Sequence, residues 1–122
     1  MRIVSRFAPP LLLMGVIFFL SAQPDLNSGL GSWDTILRKL AHMAVFGLLW
    51  FLWWRALAYD PNRRISVLIT IAYAVTDELH QTTVDGRHGA PADVLIDSAG
   101  IALAMLVVHV HGRRRRSDSV AA

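Results

Sequence analysis

The chain has 122 residues, of which 54% are hydrophobic and only 17% are charged, and its mean hydropathy is +0.44. A soluble domain of this length buries too little of its surface to carry so few polar residues, so the composition excludes an ordinary soluble fold. Cysteine is absent, which excludes disulfides, thiolate metal sites and cysteine nucleophiles.

The formal net charge is +3, and four of the twelve basic residues form the run 113–116. A basic run beside an apolar segment is typical of a cytoplasmic membrane flank. A nucleic-acid binder needs a folded basic face or basic residues interleaved with aromatic ones, and the sequence has neither. We therefore predict no nucleic-acid partner.

Four apolar blocks predict four transmembrane helices, near residues 7–22, 39–59, 64–83 and 91–111, followed by a basic tail over 112–122. In the first block, Pro9 and Pro10 stand where a helix can begin without losing needed hydrogen bonds. Arg2 and Arg6 before this short block also suit a cleaved signal peptide. Leu20 is large for the small-residue position of a cleavage site, so an uncleaved helix is favoured.

The later blocks carry their own boundary signals. The second block ends in Trp50, Phe51, Trp53 and Trp54 followed by Arg55, which resembles an interfacial aromatic belt with a cation. The third block turns polar over residues 77–81. The fourth begins at Pro91 and is rich in glycine and alanine, which let helices approach closely in lipid.

The distribution of charge predicts the orientation. If the N-terminus is inside, nine of the twelve basic residues lie on the inner flanks, and only Arg38, Lys39 and Arg87 lie outside. The positive-inside rule then favours both termini in the cytoplasm. The predicted fold is therefore an all-α integral membrane bundle of four helices, forming one domain over 1–122.

Most polar residues of the blocks fall at the outer helix ends in this topology. On the second, third and fourth helices they recur at spacings of three or four, which puts those of each helix on one face. Because ionisable groups are costly in a membrane, we expect them to form one mutually paired cluster. Its predicted members are Lys39, His42, Asp77 or Glu78, Gln81, Arg87, Asp93 and Asp97. Ion pairs that only hold the helices together are the alternative to a binding site.

These residues resemble the VanZ-like family, small bacterial membrane proteins named for a member linked to teicoplanin resistance. The resemblance covers about residues 10–108. It rests on Phe18-Phe19-Leu20-Ser21-Ala22-Gln23-Pro24, Lys39-Leu40-Ala41-His42, Asp77-Glu78-Leu79-His80-Gln81, Gly86-Arg87, Asp93 and Asp97-Ser98-Ala99-Gly100. The family often has Asp at the position of Arg38 and Ser at that of Ala90.

The resemblance implies an uncleaved first helix, a bacterial plasma membrane location and a role at the outer face, with wall precursors or lipid-like ligands. It also implies a link to glycopeptide resistance, although the family's activity is not settled. Asp77 and Glu78 are ~100° apart on a helix, so we expect only one to point inward. The resemblance favours Glu78, lining the pocket together with Gln81.

We favour a non-enzymatic membrane protein whose outward-facing polar pocket binds an anionic lipid-linked or cell-envelope head group. Lys39 and Arg87 would meet the anion, surrounded by the other predicted ligand-binding residues, namely His42, Glu78, Gln81, Asp93 and Asp97. Transport by a dimer is a further hypothesis, and the oligomeric state is left open.

The alternative is an intramembrane acid–base enzyme acting on a lipid-linked substrate. Glu78 or Asp77 would be the general base, His42 or His80 the proton shuttle, and Arg87 the clamp. We predict no cofactor and no metal. A divalent ion held by the two histidines and carboxylates is disfavoured because the spacing lacks a His-Glu-x-x-His signature.

Overall fold

A computed structural model of the chain describes residues 2–22, 29, 31–59, 63–84 and 89–122. Within these ranges the chain forms four helices and no strand, which confirms the all-α prediction. The helices are α1 (Arg2–Ser21), α2 (Ser32–Ala56), α3 (Arg64–Thr82) and α4 (Pro91–Ala121).

Several helix boundaries differ from the prediction. The first helix begins at Arg2 rather than near residue 7, so that Pro9 and Pro10 lie inside it. The second begins at Ser32 rather than near residue 39, with Asp34 in its first turn, where a carboxylate favours the helix dipole. The predicted tail is helical and continues α4 to Ala121, because arginine is a good helix former.

Contacts between the helices define an up-and-down bundle. The Nε of Arg6, near the start of α1, donates to the carbonyl of Ala56 at the end of α2, at 3.0 Å. Halfway along, the hydroxyl of Tyr73 in α3 donates to the carbonyl of Met14 in α1. The ends of α1 and α3 therefore lie together with the starts of α2 and α4.

The second helix packs most extensively against α4, and small residues make this possible. A Cβ built on Gly100 would lie 2.2 Å from the carbonyl oxygen of Met43, and one on Gly47 would lie 2.9 Å from the carbonyl oxygen of Gly100. The two backbones thus approach each other closely, as expected for helices that associate in lipid. A small apolar core lies between the helices, formed by Ile17, Phe46, Leu49, Trp50, Ala74 and Ile101.

Three of the four helices are long and apolar enough to be candidate membrane spans, namely α1, α2 and α4. Only 11%, 22% and 17% of the apolar stretches of α1, α2 and α4 are buried inside the bundle. Apolar surfaces of this extent mark regions that contact a membrane or another protein, and a membrane protein exposes such a surface to lipid. The third helix is not among these candidate spans because its last turns are polar over residues 77–81, which lowers its mean hydropathy.

Candidate functional site

All four helices contribute to one group of polar side chains, here named the polar cluster: Ser21, His42, Asp77, Gln81 and Asp97. It lies where the ends of α1 and α3 meet the first half of α2 and the start of α4. Four of its members are at most 5% exposed, and His42 is partly exposed. The cluster is therefore an interior polar region and not a solvated helix end.

His42 and Asp97 form the ionic contact of the cluster. The Nδ1 of His42 lies 3.2 Å from Oδ1 of Asp97, and the histidine ring is stacked on Phe46. The side chain of His42 is 25% exposed, whereas that of Asp97 is only 3% exposed. A carboxylate at Nδ1 fixes the ring orientation and keeps a proton on that nitrogen.

Asp77 and Gln81 join α3 to the end of α1. The Nε2 of Gln81 donates to Oδ2 of Asp77 at 3.1 Å and to Oγ of Ser21 at 3.4 Å. The other carboxylate oxygen of Asp77, Oδ1, is buried without a hydrogen-bond partner among the described residues. Because buried polar atoms are almost always satisfied, this oxygen calls for a hydrogen-bond donor that the described residues do not supply.

Glu78 is also buried, but it points towards the start of α4. Its Oε1 accepts a hydrogen bond from the backbone N–H of Ala90. A Cβ built on the neighbouring Gly89 would lie 2.9 Å from the same oxygen, so a larger residue at this position would require the Glu78 carboxylate to shift.

The expectation that only one of the two acids points inward is therefore wrong. Elements packed on two sides of α3 bury both, because α1 covers the side of Asp77 and the start of α4 covers the side of Glu78. The partner of Gln81 is Asp77, at a spacing of four, and not Glu78.

The remaining predicted site residues lie at the edge of the cluster or outside it. Lys39 is exposed. Asp93, in the first turn of α4, is partly exposed and interacts electrostatically with His42 and Glu78. His80 stacks on Phe18 of α1, with ring centroids 4.2 Å apart. Arg87 lies outside the described residues, so its prediction stays a prediction.

A cavity of about 170 Å³ lies between α1 and α2 beside the cluster. Its lining residues are Ile17, Leu20, Ser21, Arg38, Ala41, His42, Val45 and Phe46. The cavity shares Ser21 and His42 with the polar cluster, so a ligand in the cavity would reach both.

The sequence-based site did not include Ser21 or Arg38. Ser21 ends an apolar block and carries no periodic signal of its own, although it stands in the motif Phe18 to Pro24 on which the resemblance rests. The sequence predicts Arg38 on the outer side with Lys39 and Arg87, where it departs from the family pattern, but does not assign it to the cluster. The helical spacing of four between Arg38 and His42 is the signal that places both on one face.

The described residues contain no group of three or more His, Asp or Glu side chains arranged to hold a metal ion. The chemistry of the polar cluster consists of hydrogen-bonding groups, one histidine and two carboxylates. It is suited to bind hydroxyl or amine groups directly, and to bind an anion where a neighbouring cation takes part.

Comparison with curated proteins and with solved structures finds no match. Comparison with protein families finds one, described as VanZ/LLP1, whose model matches residues 7–112. This range includes every residue of the polar cluster and of the cavity beside it. The match confirms the resemblance, and the chain belongs to the VanZ/LLP1 family.

Proposed function

We propose that the chain is a plasma-membrane protein with four spans and both termini in the cytoplasm, and that its polar cluster binds the head group of an anionic lipid-linked or cell-envelope ligand. The observation that carries the proposal is the convergence of buried polar side chains from all four helices at one end of the bundle. In the proposed topology this end faces outward.

The burial of the acids supports a binding role over a purely structural one. Asp77, Glu78 and Asp97 are 3%, 7% and 2% exposed. A buried carboxylate is costly, and buried ion pairs add little stability compared with apolar residues of similar size. Packing alone therefore does not explain three such acids, one of which has an oxygen without a partner among the described residues.

The charge at the opposite end supports the proposed orientation. Arg6 bonds to the end of α2, and the guanidinium of Arg63 lies 4.8 Å from the ring of Trp54. Arginine and tryptophan together are typical of the membrane interface, and arginine is enriched on its cytoplasmic side. The polar cluster then lies on the outer side.

The ligand is expected to carry negative charge because the cations predicted at this mouth, Lys39 and Arg87, have the chemistry for it. An arginine fork binds phosphate or carboxylate with two parallel hydrogen bonds. The acids of the cluster would orient these cations and accept bonds from hydroxyl groups. A role in glycopeptide resistance stays a prediction of the resemblance.

The test is binding of a polyprenyl phosphate and of phosphatidylglycerol to the purified full chain in detergent. Arg87→Gln should weaken binding about tenfold or more, because a charge-assisted bond is lost. Arg64→Gln, an exposed arginine at the opposite end, is the matched control and should leave binding unchanged. Absence of binding by the wild-type chain, or equal binding by Arg87→Gln, contradicts the proposal.

The contact between His42 and Asp97 favours acid–base catalysis on a lipid-linked substrate as a second candidate. A histidine held at Nδ1 by a carboxylate has its other nitrogen available to take up or release a proton. Analysis of the lipid after the binding assay, for any chemical change, distinguishes the two functions. Product that accumulates with the wild-type chain and not with His42→Gln supports an enzyme, whereas unchanged lipid supports binding alone.

A further inference from the structure

We propose that the cavity between α1 and α2 holds the hydrocarbon chain of a lipid phosphate next to its head group, and that Arg38 contacts the phosphate. The inference rests on the proposed function and narrows it. The ligand is then a phosphate carried on a hydrocarbon chain, and not a water-soluble wall precursor.

The lining of the cavity matches such an amphiphile. Five of the eight lining residues are apolar: Ile17, Leu20, Ala41, Val45 and Phe46. The polar ones are Ser21, Arg38 and His42. Apolar walls with a few polar groups are typical of sites that bury a hydrocarbon body and fix one polar end.

The exposure of the lining residues indicates how the ligand enters. Ile17, Ser21 and Phe46 are at most 5% exposed and form the floor, whereas Leu20 is 47% exposed and lies at the rim with the exposed Ala41. The rim lies on the outer surface of two candidate spans, where lipid surrounds the bundle. A lipid can therefore enter sideways from the bilayer without first leaving it.

Arg38 is the cation that the helix places beside this cavity. It precedes His42 by four residues, so both lie on the same face of α2. Lys39 is turned about 100° away on the helix and does not line the cavity. A guanidinium matches the geometry of a phosphate better than an ammonium does. The hydroxyl of Ser21 adds a second polar group at the same cavity.

Among the described residues, the groove between α2 and α4 has no charged or polar side chain beside its apolar walls. It is lined by apolar residues and glycine alone, among them Ala44. Such a surface can accept an acyl chain but has no side chain to recognise a head group. Its exposed Ala44 provides a control for a substitution in the cavity.

The experiment measures binding of three probes to the full chain in detergent: a polyprenyl phosphate, phosphatidylglycerol and glycerol phosphate. Ala41→Trp, which fills the cavity from its exposed rim, and Arg38→Gln should each weaken lipid binding about tenfold or more. The controls Ala44→Trp and Arg64→Gln should stay within about twofold of the wild-type chain. Glycerol phosphate, which has no hydrocarbon chain, should not bind measurably. The relative affinities for the polyprenyl phosphate and for phosphatidylglycerol show which of these two lipid phosphates the site prefers.

Equal lipid binding by Ala41→Trp and the wild-type chain overturns the inference, as does glycerol phosphate binding as tightly as the lipids. If Arg87→Gln still weakens binding in that case, the proposed function stands and only the cavity is wrong. Ala41→Phe is a second variant for use if the larger side chain prevents folding, and each variant is compared by its thermal unfolding before binding is measured.

Discussion

His42 and Asp97 are 55 positions apart in the chain, yet their side chains meet at 3.2 Å. The sequence predicted both as members of one cluster, since helical spacing and antiparallel helices place them at the same depth. Asp77 and Gln81 pair at a spacing of four, whereas the resemblance had favoured Glu78 as the partner of Gln81, and that prediction is wrong. The role of Ser21 was not predicted, because a lone serine at the end of an apolar block carries no periodic signal.

Glu78 is the residue whose role the sequence and the structure describe differently. The sequence predicts a ligand-binding group, whereas the structure shows a carboxylate that accepts a bond from the N–H of Ala90. The two roles differ in what a conservative substitution does. Glu78→Gln keeps an acceptor oxygen for this N–H, whereas Glu78→Ala removes it.

We expect Glu78→Ala to lower the free energy of unfolding by about 1–3 kcal/mol, because the N–H of Ala90 loses its acceptor. Glu78→Gln should cost clearly less. Thermal unfolding in detergent, followed by circular dichroism, measures both. Equal stability of the alanine variant and the wild-type chain contradicts the structural role. A stable Glu78→Gln that has lost lipid binding shows that Glu78 also acts on the ligand.

At the scale of the helices, the sequence predicted the number and type of elements because long apolar blocks are a strong signal. The boundaries were less predictable. The apolar block marks the part of a helix that suits lipid, and a helix continues beyond it wherever polar residues keep their backbone hydrogen bonds. For this reason Ser32 begins α2 ahead of its apolar block, and α4 runs through Gly112 into the arginine run.

The contact of α2 with α4 leads to a prediction for Gly100. Gly100→Ala should lower the free energy of unfolding by about 1–3 kcal/mol, the usual cost of overpacking. The reason is that the new methyl group would lie 2.2 Å from the backbone oxygen of Met43, which cannot move without separating the helices. Thermal unfolding in detergent is the measurement.

Gly112→Ala, in the same helix, is the matched control. A Cβ at this position meets no atom within 4 Å, so only the backbone entropy of glycine changes. The variant should be neutral or more stable by up to about 1 kcal/mol. Two variants of equal stability would show that α2 and α4 do not approach as closely as described.

At the scale of the whole molecule, the polar cluster and most of the described basic residues lie at opposite ends of the bundle. The polar cluster lies at the end of α1 and α3, whereas Arg6 and Arg63 lie at the other end with Trp54. The helix α4 has 31 residues, and a helix of that length rises about 46 Å. This exceeds a hydrocarbon core of about 30 Å, so in the proposed topology the arginine run is expected to extend into the water on the basic side.

Whether α3 spans the membrane decides the topology, because α1, α2 and α4 are the candidate spans by length and composition. If α3 crosses, the segment before α4 is outside and the C-terminus is inside. If α3 stays on the cytoplasmic side, the segment before α4 is inside and the four arginines at 113–116 are outside. The positive-inside rule opposes the second arrangement, and the pairing of buried polar groups lowers the cost of inserting α3.

The absence of cysteine makes this question directly measurable, since any single cysteine is the only thiol in the chain. In intact cells, a membrane-impermeant maleimide should label Asp85→Cys and should not label Asn62→Cys or Ser119→Cys. The latter two should react only after the membrane is permeabilised, because four spans place both of them in the cytoplasm. Labelling of Ser119→Cys in intact cells, together with protection of both Asp85→Cys and Asn62→Cys, would show that α3 does not cross. Labelling of both Ser119→Cys and Asn62→Cys, together with protection of Asp85→Cys, would show that the whole bundle is inverted. The polar cluster would then lie on the cytoplasmic face, and an outer-leaflet ligand would have no path to it.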